Sequence, residues 1–584
     1  MKKNCLDILR EKNIDIYAPC GGKGTCGKCK VKIIGKTSEL TQEERNLLTV
    51  SEIENGVRLA CKTEVFSYDE IIVLKKDLIN NSKNKIKNEK YKINSDIRKE
   101  TVILEKPTLE NGYSISEVFK KAINQGIKIE LEVLKEFSKN PVYEREITLI
   151  LNEKRVIGFK EGKNTELYGV AVDIGTTTIA CYLVNMIEGK IVDIISFQNP
   201  QYIYGSDLIT RLNYIENNEN GLKILNQVLM ENLDKNFEQL IIKNNIDKKD
   251  LCKCVLTGNS VMTHILLGVN TSSLSKIPFN IVIKDTFMEK AQYFKFKSLL
   301  SNTEIIILPN IGGFVGGDTV AAMIVTEYLE DGKTKLLLDL GTNGEIALFF
   351  NGKIYVCSAA AGPAFEGANI QCGMQAFSGA INKVMLKNDI LYEVLGNKKP
   401  VGICGSGIID LISILLQNEV IKISGKFNNK DKIQNKNLAT RLIEADGKKF
   451  FVVASEEETE SGEKIVITQK DIREIQLAKG AIRAGINILL KICNLEKENI
   501  DIFYLAGTFG NYIDKENSLI IGLLPEEYRE KIEIVGNAAG KGCIKVMCDY
   551  DLNRTLNTYI EKSTHIEISN HEEFQNEFLK EMSF

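Results

Sequence analysis

Four cysteines between residues 20 and 61 have a spacing that suits a metal site. Cys20, Cys26 and Cys29 share one glycine-rich loop, and Cys61 follows farther along the chain. Thiolates are soft ligands, and a glycine-rich loop lets backbone N–H groups approach and stabilise their negative charge. A zinc site more often takes its ligands from two well-separated pairs. The spacing therefore favours a 2Fe-2S cluster, with zinc, or cysteines that bind no metal, as the alternatives.

Two similar glycine–threonine turns suggest a nucleotide site. One apolar strand ends at Asp173 and a second ends at Asp339, and each continues into a Gly-Thr turn. The N–H groups and hydroxyls of such turns can surround terminal phosphates, and the aspartates can hold Mg²⁺ through water. A duplicated pair is a much stronger signal than one turn. The predicted ATP and Mg²⁺ site comprises Asp173, Asp339, Gly175, Thr176, Thr177, Thr178, Gly341, Thr342 and Asn343.

Further residues fit the same cleft, although an ordinary turn explains each of the glycine-rich segments as well. Gly405, Ser406 and Gly407 directly precede an apolar helical run, where a ligand can approach a helix N-terminus. Gly507 ends a strand and would let an adenosine stack against the backbone. We predict that Asp318 is either a helix N-cap or a residue for Mg²⁺ or catalytic water, and that Glu345 polarises water.

These residues must be positioned by a chain of several folded units. We expect a cysteine-rich unit over 1–78, a solvated Lys- and Asn-rich linker over 79–100, and a small α+β unit over 101–165. From 166 to 584 the chain is predicted to be a large α/β domain. Its two strand–turn–strand copies, around Asp173 and Asp339, predict two similar lobes that face each other across a cleft.

Composition excludes several classes of function. The 584 residues carry 75 Lys and Arg against 78 Asp and Glu, so a broad basic surface for nucleic acid is not expected. No apolar run reaches the roughly 18 to 20 residues that a membrane span needs, and the start lacks a secretory apolar region. We therefore expect a cytoplasmic protein. Only three histidines are present, which argues against histidine-based zinc binding or catalysis.

The large α/β part resembles the superfamily of acetate and sugar kinases, Hsp70 and actin. Within it, the chain is most similar to the ATP-dependent reductive activators of corrinoid proteins, over nearly its whole length. The segments that carry this resemblance are GNSVMTHILLG (258–268), LPNIGGFVGGDTVAA (308–322), DLGTNGEIAL (339–348), AAGPAFEGANIQCGM (360–374), GICGSGIIDL and LAGTFGNYI. The resemblance implies a multidomain α/β and α+β protein with a ferredoxin-like β-grasp domain, a linker, a middle domain and a duplicated actin-like ATPase domain.

The resemblance also implies an activity. A 2Fe-2S cluster would pass an electron to cob(II)alamin in a corrinoid protein and regenerate cob(I)alamin for methyl transfer, with ATP assisting the uphill step. The implied partners are the corrinoid protein and a low-potential electron donor, and a homodimer is one option for the oligomeric state. Two alternatives stay open: a small-molecule kinase with a redox-sensing iron–sulfur domain, and a non-catalytic redox adaptor.

The N-terminal unit departs from the ferredoxin pattern in one respect. Domains of this type open with a β-hairpin before the helix that leads into the cluster loop, whereas this chain begins at that helix, with CLDILREKNIDIYAPC. Either the start lies upstream or the hairpin is absent. A sheet without that hairpin would expose an edge and part of its core.

Overall fold

The computed structural model describes residues 3–12, 14, 16, 18, 22, 24, 27–48, 50–74, 89–123, 126–164, 166–329, 331–367, 369–445, 447–507, 510 and 513–584. Cys20 and Cys26 therefore lie outside the described residues, as does most of the first half of the predicted linker. None of the described helices is both long enough and apolar enough to cross a membrane.

The N-terminal unit is a small sheet with one helix against it. Its elements are β1 Lys3–Asn4, α1 Cys5–Glu11, β2 Lys30–Thr37, α2 Gln42–Leu47, α3 Val50–Glu54, β3 Val57–Leu59 and β4 Glu64–Val73. The sheet order is β1-β4-β2-β3, and every pairing is antiparallel. The side chains of Ile34, Phe66 and Ile72 are 39–51% exposed on this sheet.

The small α+β unit packs two helices against a four-stranded sheet. Its elements are β5 Ile97–Ile103, α4 Ile115–Ile123, β6 Lys128–Ile129, α5 Leu131–Lys139, β7 Glu146–Asn152 and β8 Arg155–Glu161. The sheet order is β5-β7-β8-β6. The fully buried rings of Phe119 and Phe137 meet edge to face at 5.0 Å and join the helices in the core.

Lobe 1 is a six-stranded mixed sheet with helices. Its elements are β9 Tyr168–Ile174, β10 Thr178–Asn185, β11 Lys190–Gln198, α6 Leu208–Asn217, α7 Gly221–Lys243, β12 Leu251–Gly258, α8 Ser260–Leu267, β13 Phe287–Lys290, β14 Glu304–Ile307 and α9 Gly317–Val325. The sheet order is β11-β10-β9-β12-β14-β13. The first three strands are antiparallel, and β12 and β14 run parallel to β9.

Lobe 2 repeats this sheet and carries two small three-stranded sheets. Its elements are β15 Lys335–Leu340, β16 Gly344–Phe350, β17 Lys353–Ala359, β18 Ala380–Leu386, β19 Ile390–Val394, β20 Gly402–Ile403, α10 Gly405–Gln417, α11 Lys436–Arg441, β21 Leu442–Ala445, β22 Lys448–Ala454, β23 Ile465–Thr468, α12 Gln469–Ile492, β24 Ile502–Ala506, α13 Lys515–Ile520, β25 Ile532–Gly536, α14 Ala538–Cys548, α15 Tyr550–Lys562, β26 Ser563–His565 and α16 Phe574–Lys580.

The main sheet of lobe 2 has the order β25-β24-β15-β16-β17-β26. Strands β15 to β17 are antiparallel, and β24 and β25 run parallel to β15. Five strands therefore have the same order in both lobes. They are β11-β10-β9-β12-β14 in lobe 1 and β17-β16-β15-β24-β25 in lobe 2. The predicted duplicated, actin-like architecture is confirmed.

Residues 89–100 differ from the predicted solvated linker. The N–H of Tyr91 donates to Gly189, that of Asn94 donates to Cys548, and that of Tyr550 donates back to Asn94. Strand β5 then begins at Ile97. The Lys- and Asn-rich composition suggested solvation, but backbone pairing fixes this segment, and Tyr91 and Ile93 pack against a buried apolar cluster. The four domain boundaries otherwise stay predictions.

Several local features follow from short-range sequence patterns. Thr468 caps α12 in a capping box with Asp471, and the C-terminal tail forms β26 and α16. His264 is a buried structural residue: its Nδ1 contacts the Ser260 carbonyl at 2.6 Å, and its Nε2 accepts from the N–H of Val282. Cys252 and Cys254 are both buried in β12.

A buried ionic junction joins the segment before β5 to lobe 1. The fully buried ammonium of Lys253, in β12, lies 2.5 Å from Asp96 and 3.2 Å from Glu304. Removal of one partner from a buried ion pair typically costs about 3–5 kcal/mol, because the other charge stays in a poorly solvated place.

We predict that Lys253→Met, which keeps much of the side-chain volume, lowers the free energy of unfolding by about 3 kcal/mol, because it leaves two carboxylates without their cation. Lys333→Met is the matched control, since its pair with Asp331 is about half exposed on both sides, and it should have no measurable effect. Urea unfolding followed by circular dichroism measures both. Equal stability of the two variants would contradict the prediction.

Candidate functional site

The described half of the cysteine set has the geometry of a shared metal. Cys29 and Cys61 are buried, and their sulfur atoms lie 3.4 Å apart. Two thiolates on one tetrahedral metal at about 2.3 Å lie about 3.7 Å apart. Gly24 and Gly27 have φ of 79° and 66°, a backbone region that suits glycine in the loop between the cysteines. These features fit the iron–sulfur interpretation, for which Cys20 and Cys26 would supply the other ligands.

Cys5 is close to this site without the properties of a ligand. It is fully buried on α1, and burial, followed by the nearby Cys29, raises the pKa of its thiol to about 12. A metal can displace the proton even from such a thiol, but Cys5 lies outside the spaced set of Cys20, Cys26, Cys29 and Cys61. The predicted ligands therefore remain Cys20, Cys26, Cys29 and Cys61.

Glu44, which the sequence analysis missed, fixes the segment that carries Cys61. Its buried carboxylate accepts from the N–H of Leu59 at 3.0 Å and from the hydroxyl of Thr63 at 3.1 Å, and it pairs with Arg58 at 2.9 Å. Burial by itself would raise the pKa of Glu44, but these donors outweigh it and hold the pKa below its ordinary value. The local signal was the capping box that Glu44 forms with Thr41 on α2.

The two glycine–threonine turns meet in the cleft between the lobes. We define the first Gly-Thr turn as residues 173–178 and the second as residues 339–345. The hydroxyls of Thr177 and Thr342 lie 3.3 Å apart, so the predicted pair of turns is brought together. Gly175 has no room for a side chain, because an added Cβ would lie 2.4 Å from the Thr178 carbonyl oxygen. At Gly341 a Cβ would meet only the Asn343 carbonyl oxygen, at 3.7 Å, so this backbone can be approached closely.

Glu366 bridges these turns. Its Oε2 accepts from the Thr177 hydroxyl at 2.9 Å, and its Oε1 accepts from the Thr342 hydroxyl at 3.1 Å. Burial raises the pKa of Glu366, although the two hydroxyls and the charge of Arg211 oppose that effect. The sequence placed Glu366 in a distinctive segment, but its role depends on two residues that are distant in the chain.

The four predicted catalytic carboxylates, three in the Gly-Thr turns and Asp318 on α9, lie close enough for the charge of Asp318 to act on the other three. Burial, followed by the charge of Asp318, raises the pKa of Asp173 to about 7 and that of Asp339 to about 8. Burial also raises the pKa of Asp318, and burial together with Asp318 and Asp339 raises that of Glu345 well above its ordinary value. In the described ranges none of these four side chains forms an ion pair, so their repulsion favours a bound proton or cation.

The environment of Asp318 distinguishes its two predicted roles. Gly316, not Asp318, is the N-cap of α9, so the N-cap interpretation is wrong. Neither Gly316 nor Gly317 has room for a side chain, because Gly316 lies against the Gly258 carbonyl and Gly317 lies against the Thr257 hydroxyl. That hydroxyl is buried without a hydrogen-bond partner, next to Asp173 in the paired strands β9 and β12. An orphaned buried donor beside carboxylates suits a bound water or ligand oxygen.

Arg211, on α6, supports the first Gly-Thr turn and was not found from the sequence. Its fully buried guanidinium donates to the carbonyl of Thr176, to the carbonyl of Gly205 and to the side chain of Gln201. Burial lowers its pKa to about 9, and Asp207 and Glu366 oppose the shift. Nothing in the helix pattern around it distinguishes it from a surface arginine.

The other predicted nucleotide residues lie in tightly packed turns. Gly507 has φ of 99°, and a Cβ there would lie 2.8 Å from Asp339 Oδ1, so it does border the cleft. Gly405, Ser406 and Gly407 form the first turn of α10, as predicted. The Ser406 hydroxyl, however, donates to the Asn382 carbonyl at 2.7 Å and ties α10 to β18.

The N-terminal unit contacts both lobes beside this cleft. Arg10, on α1, donates from Nε to the Ile203 carbonyl in lobe 1 at 2.9 Å, and its guanidinium lies 5.4 Å from the ring centre of Tyr204. Lys28, in the cysteine loop, donates to the carbonyls of Gln371 and Gly373 in lobe 2, at 3.4 and 3.1 Å. One small unit therefore spans the two lobes.

Comparison with known proteins covers all of these parts. Residues 2–65 match the model of the 2Fe-2S iron-sulfur cluster binding domain, residues 168–331 that of the RACo middle region, and residues 333–584 that of the C-terminal ASKHA domain of RACo. The chain is 32% identical over 593 residues to a protein of Eubacterium limosum named corrinoid activation enzyme RamQ, covering 99% of this chain and 95% of that protein.

Two further relatives agree with this assignment. A Methanosarcina barkeri protein named as the Co(II) methylated amine-specific corrinoid protein reductase is 26% identical over 452 residues, covering 72% of this chain and 77% of that one. A solved structure named as a reductive activator for corrinoid, iron-sulfur protein is 29% identical and superposes with a TM-score of 0.75, covering 100% of this chain and 95% of that one.

We predict that acid loosens the Cys61 segment through Glu44. Because the folded pKa of Glu44 is depressed, its stabilising effect is present above its ordinary value of 4.5 and is lost as the pH falls through the lower folded value. Hydrogen exchange of peptides covering 57–65, corrected for intrinsic rates, should show lower protection at pH 3 than at pH 7. Glu44→Gln should remove protection at both pH values, whereas Glu54→Gln, at an exposed position of α3, should not. Equal protection in all three proteins at pH 7 would count against the prediction.

Proposed function

The chain belongs to the RACo family, and from that membership we propose that it is an ATP-dependent reductive activator of a corrinoid protein. The observation that carries the proposal is the joint presence of two sites in one chain: a cysteine site with the separation of a shared metal, and a cleft lined by two Gly-Thr turns. Full-length similarity to proteins named for corrinoid activation gives the substrate class. A low-potential electron donor is the proposed reductant, and the homodimer stays a prediction.

The residues present fit a 2Fe-2S cluster. Cys29 and Cys61 would bind one iron, and Cys20 and Cys26 would complete the set. The cluster supplies one-electron transfer. Around it, Glu44 holds the Cys61 segment, and the thiol of Cys5 stays protonated and inert.

The cleft residues also fit a magnesium nucleotide. The hydroxyls of Thr177 and Thr342 and the open backbone at Gly341 would contact phosphate oxygens. Within the described ranges no three acidic, histidine or cysteine side chains stand close enough to hold a metal ion directly. Asp173 and Asp339 would therefore orient Mg²⁺ through water, which is the usual way in which this ion is held beside phosphates. Asp318 and Glu345 would position the attacking water.

The electron balance explains why two sites are needed. A cluster held by Cys20, Cys26, Cys29 and Cys61 would supply the one electron that converts Co(II) of the corrinoid substrate to Co(I), and the low-potential donor would replace that electron. Each 59 mV of unfavourable one-electron potential is a tenfold penalty, or about 1.4 kcal/mol. Nucleotide-dependent closure of the lobes would bind the corrinoid protein in a form whose cobalt is easier to reduce.

We predict that loss of Co(II) and formation of Co(I) require the reduced protein, Mg-ATP and the corrinoid protein together. Anaerobic visible spectroscopy with each component omitted in turn measures this. Cys61→Ser should abolish cobalt reduction and retain ATP hydrolysis, because the cysteine lies on a separate unit. Phosphorylation of a sugar or carboxylic acid at a rate independent of the redox state would favour the kinase alternative instead.

We predict that Asp339→Asn and Asp173→Asn each lower ATP hydrolysis by about 100-fold, because each would lose the charge that orients the metal. Asp431→Asn, at an exposed position of lobe 2, is the matched control and should hydrolyse ATP normally. Release of inorganic phosphate by folded protein is the measurement. Wild-type turnover in both cleft variants would exclude this cleft as the hydrolytic site.

A further inference from the structure

The carboxylate of Glu366 stands where the two Gly-Thr turns present their hydroxyls. It accepts from Thr177 in lobe 1 and from Thr342 in lobe 2, at 2.9 and 3.1 Å, while those hydroxyls are only 3.3 Å apart. A carboxylate with both oxygens used in this way acts as a bridge between the lobes. Any other anion that needs the same two hydroxyl donors would therefore have to take the place of the Glu366 carboxylate.

The surroundings of Glu366 are suited to an anion. The buried cation of Arg211 lies near enough to influence its charge, and the same arginine holds the backbone of the first Gly-Thr turn through Thr176. Hydroxyl donors and a fixed guanidinium are also the groups that bind phosphate oxygens. Two anions cannot both use the hydroxyls of Thr177 and Thr342, since like charges at such a separation repel strongly outside bulk water.

From this geometry we propose that Glu366 is a resident anion that competes with the terminal phosphate of the nucleotide for the hydroxyls of Thr177 and Thr342. The proposal rests on the nucleotide site of the proposed function and goes beyond it in naming the group that must move. The site therefore distinguishes triphosphate from diphosphate nucleotides, because only a nucleoside triphosphate has the terminal group that displaces Glu366.

Displacement of Glu366 has a consequence for the N-terminal unit, because that unit holds both lobes. Arg10 contacts the Ile203 carbonyl in lobe 1, and Lys28 contacts the carbonyls of Gln371 and Gly373 in lobe 2. Replacement of the carboxylate bridge by a bulkier phosphate alters the separation of the lobes. Rigid anchor points that move apart cannot keep both contacts, so the cysteine-bearing unit is released from one lobe.

The anchor points are rigid on both sides. In lobe 1, Arg211 donates to the carbonyl of Gly205, two residues after Ile203, and so fixes this turn. In lobe 2, the N–H of Gln371 donates to Asp471 at 2.8 Å, and the N–H of Ile403 donates to the Cys372 carbonyl at 3.0 Å. Each contact of the N-terminal unit is thus made to backbone that moves with its lobe, so the unit reports the relative position of the lobes.

The first test is nucleotide binding by the full-length protein, measured by calorimetry with Mg-ATP and Mg-ADP under conditions that prevent turnover. Glu366→Gln removes the competing charge and should bind Mg-ATP about tenfold more tightly, which corresponds to about 1.4 kcal/mol, with little change for Mg-ADP. Glu463→Gln makes the same change at an exposed position and should bind both nucleotides as the wild type does. Glu366→Asp, which keeps the charge on a shorter side chain, provides a second variant if Glu366→Gln folds poorly, and it should also favour Mg-ATP, by a smaller factor.

Unchanged or weaker binding of Mg-ATP by both Glu366 variants would overturn the proposal, because it would make Glu366 a structural or metal-binding residue. The second test is hydrogen exchange of peptides covering 5–11 and 201–205, at the lobe 1 contact, and 370–374, at the lobe 2 contact. Mg-ATP should raise exchange at one of these two contacts, and Mg-ADP should raise it at neither. No response to Mg-ATP would overturn the link to the N-terminal unit. If the wild type binds no ATP, the nucleotide site of the proposed function fails as well; if these shifts occur and the corrinoid is not reduced, only the proposed function fails.

Discussion

Negative charge buried between two lobes is the constraint around which this structure is built. Burial raises the pKa of Asp173, Asp318, Asp339 and Glu345, and the charge of Asp318 adds to the shift of the other three. In the part of the chain that the structure describes none of them forms an ion pair. Such groups either take up protons or recruit a cation. The cleft is therefore stable either with protonated carboxylates or with a bound cation.

Duplication explains how so much charge comes to one place. Strands β9 and β15 hold equivalent positions in the two sheets, and in each an aspartate is the next-to-last residue before a tight turn. When the lobes face each other, both aspartates and both turns converge. Close packing then holds the lobes against one another: α14 and α9 touch where Gly542 lies against Ala321, and Gly540 lies against the ring of Tyr182. Gly540 and Gly542 thus allow this close packing.

Features that depend on local spacing were readable from the sequence. The cysteine pattern, the repeated turn and the capping box of α12 all lie within a few residues of one another or recur in matching contexts. Glu366 and Arg211 were not assigned, because their roles come from neighbours that only the fold brings near. Ser406 shows the converse limit: its motif was predicted to face a ligand, but its hydroxyl is used to join α10 to β18. The Lys- and Asn-rich stretch likewise concealed the backbone pairing of residues 89–96.

The junction at Lys253 decides where this protein can be divided. The predicted boundary at residue 166 separates two units in the sequence, but Asp96 supplies a counter-charge to an ammonium inside lobe 1, and Tyr91 and Asn94 pair with the backbone of neighbouring segments. A shortened chain that starts at 166 would leave a buried cation short of one partner, and it would leave the carbonyls of Gly189 and Cys548 and the N–H of Tyr550 without their present partners. A fragment intended for crystallisation or for separate expression of the lobes should therefore start before Glu89 and keep the small α+β unit.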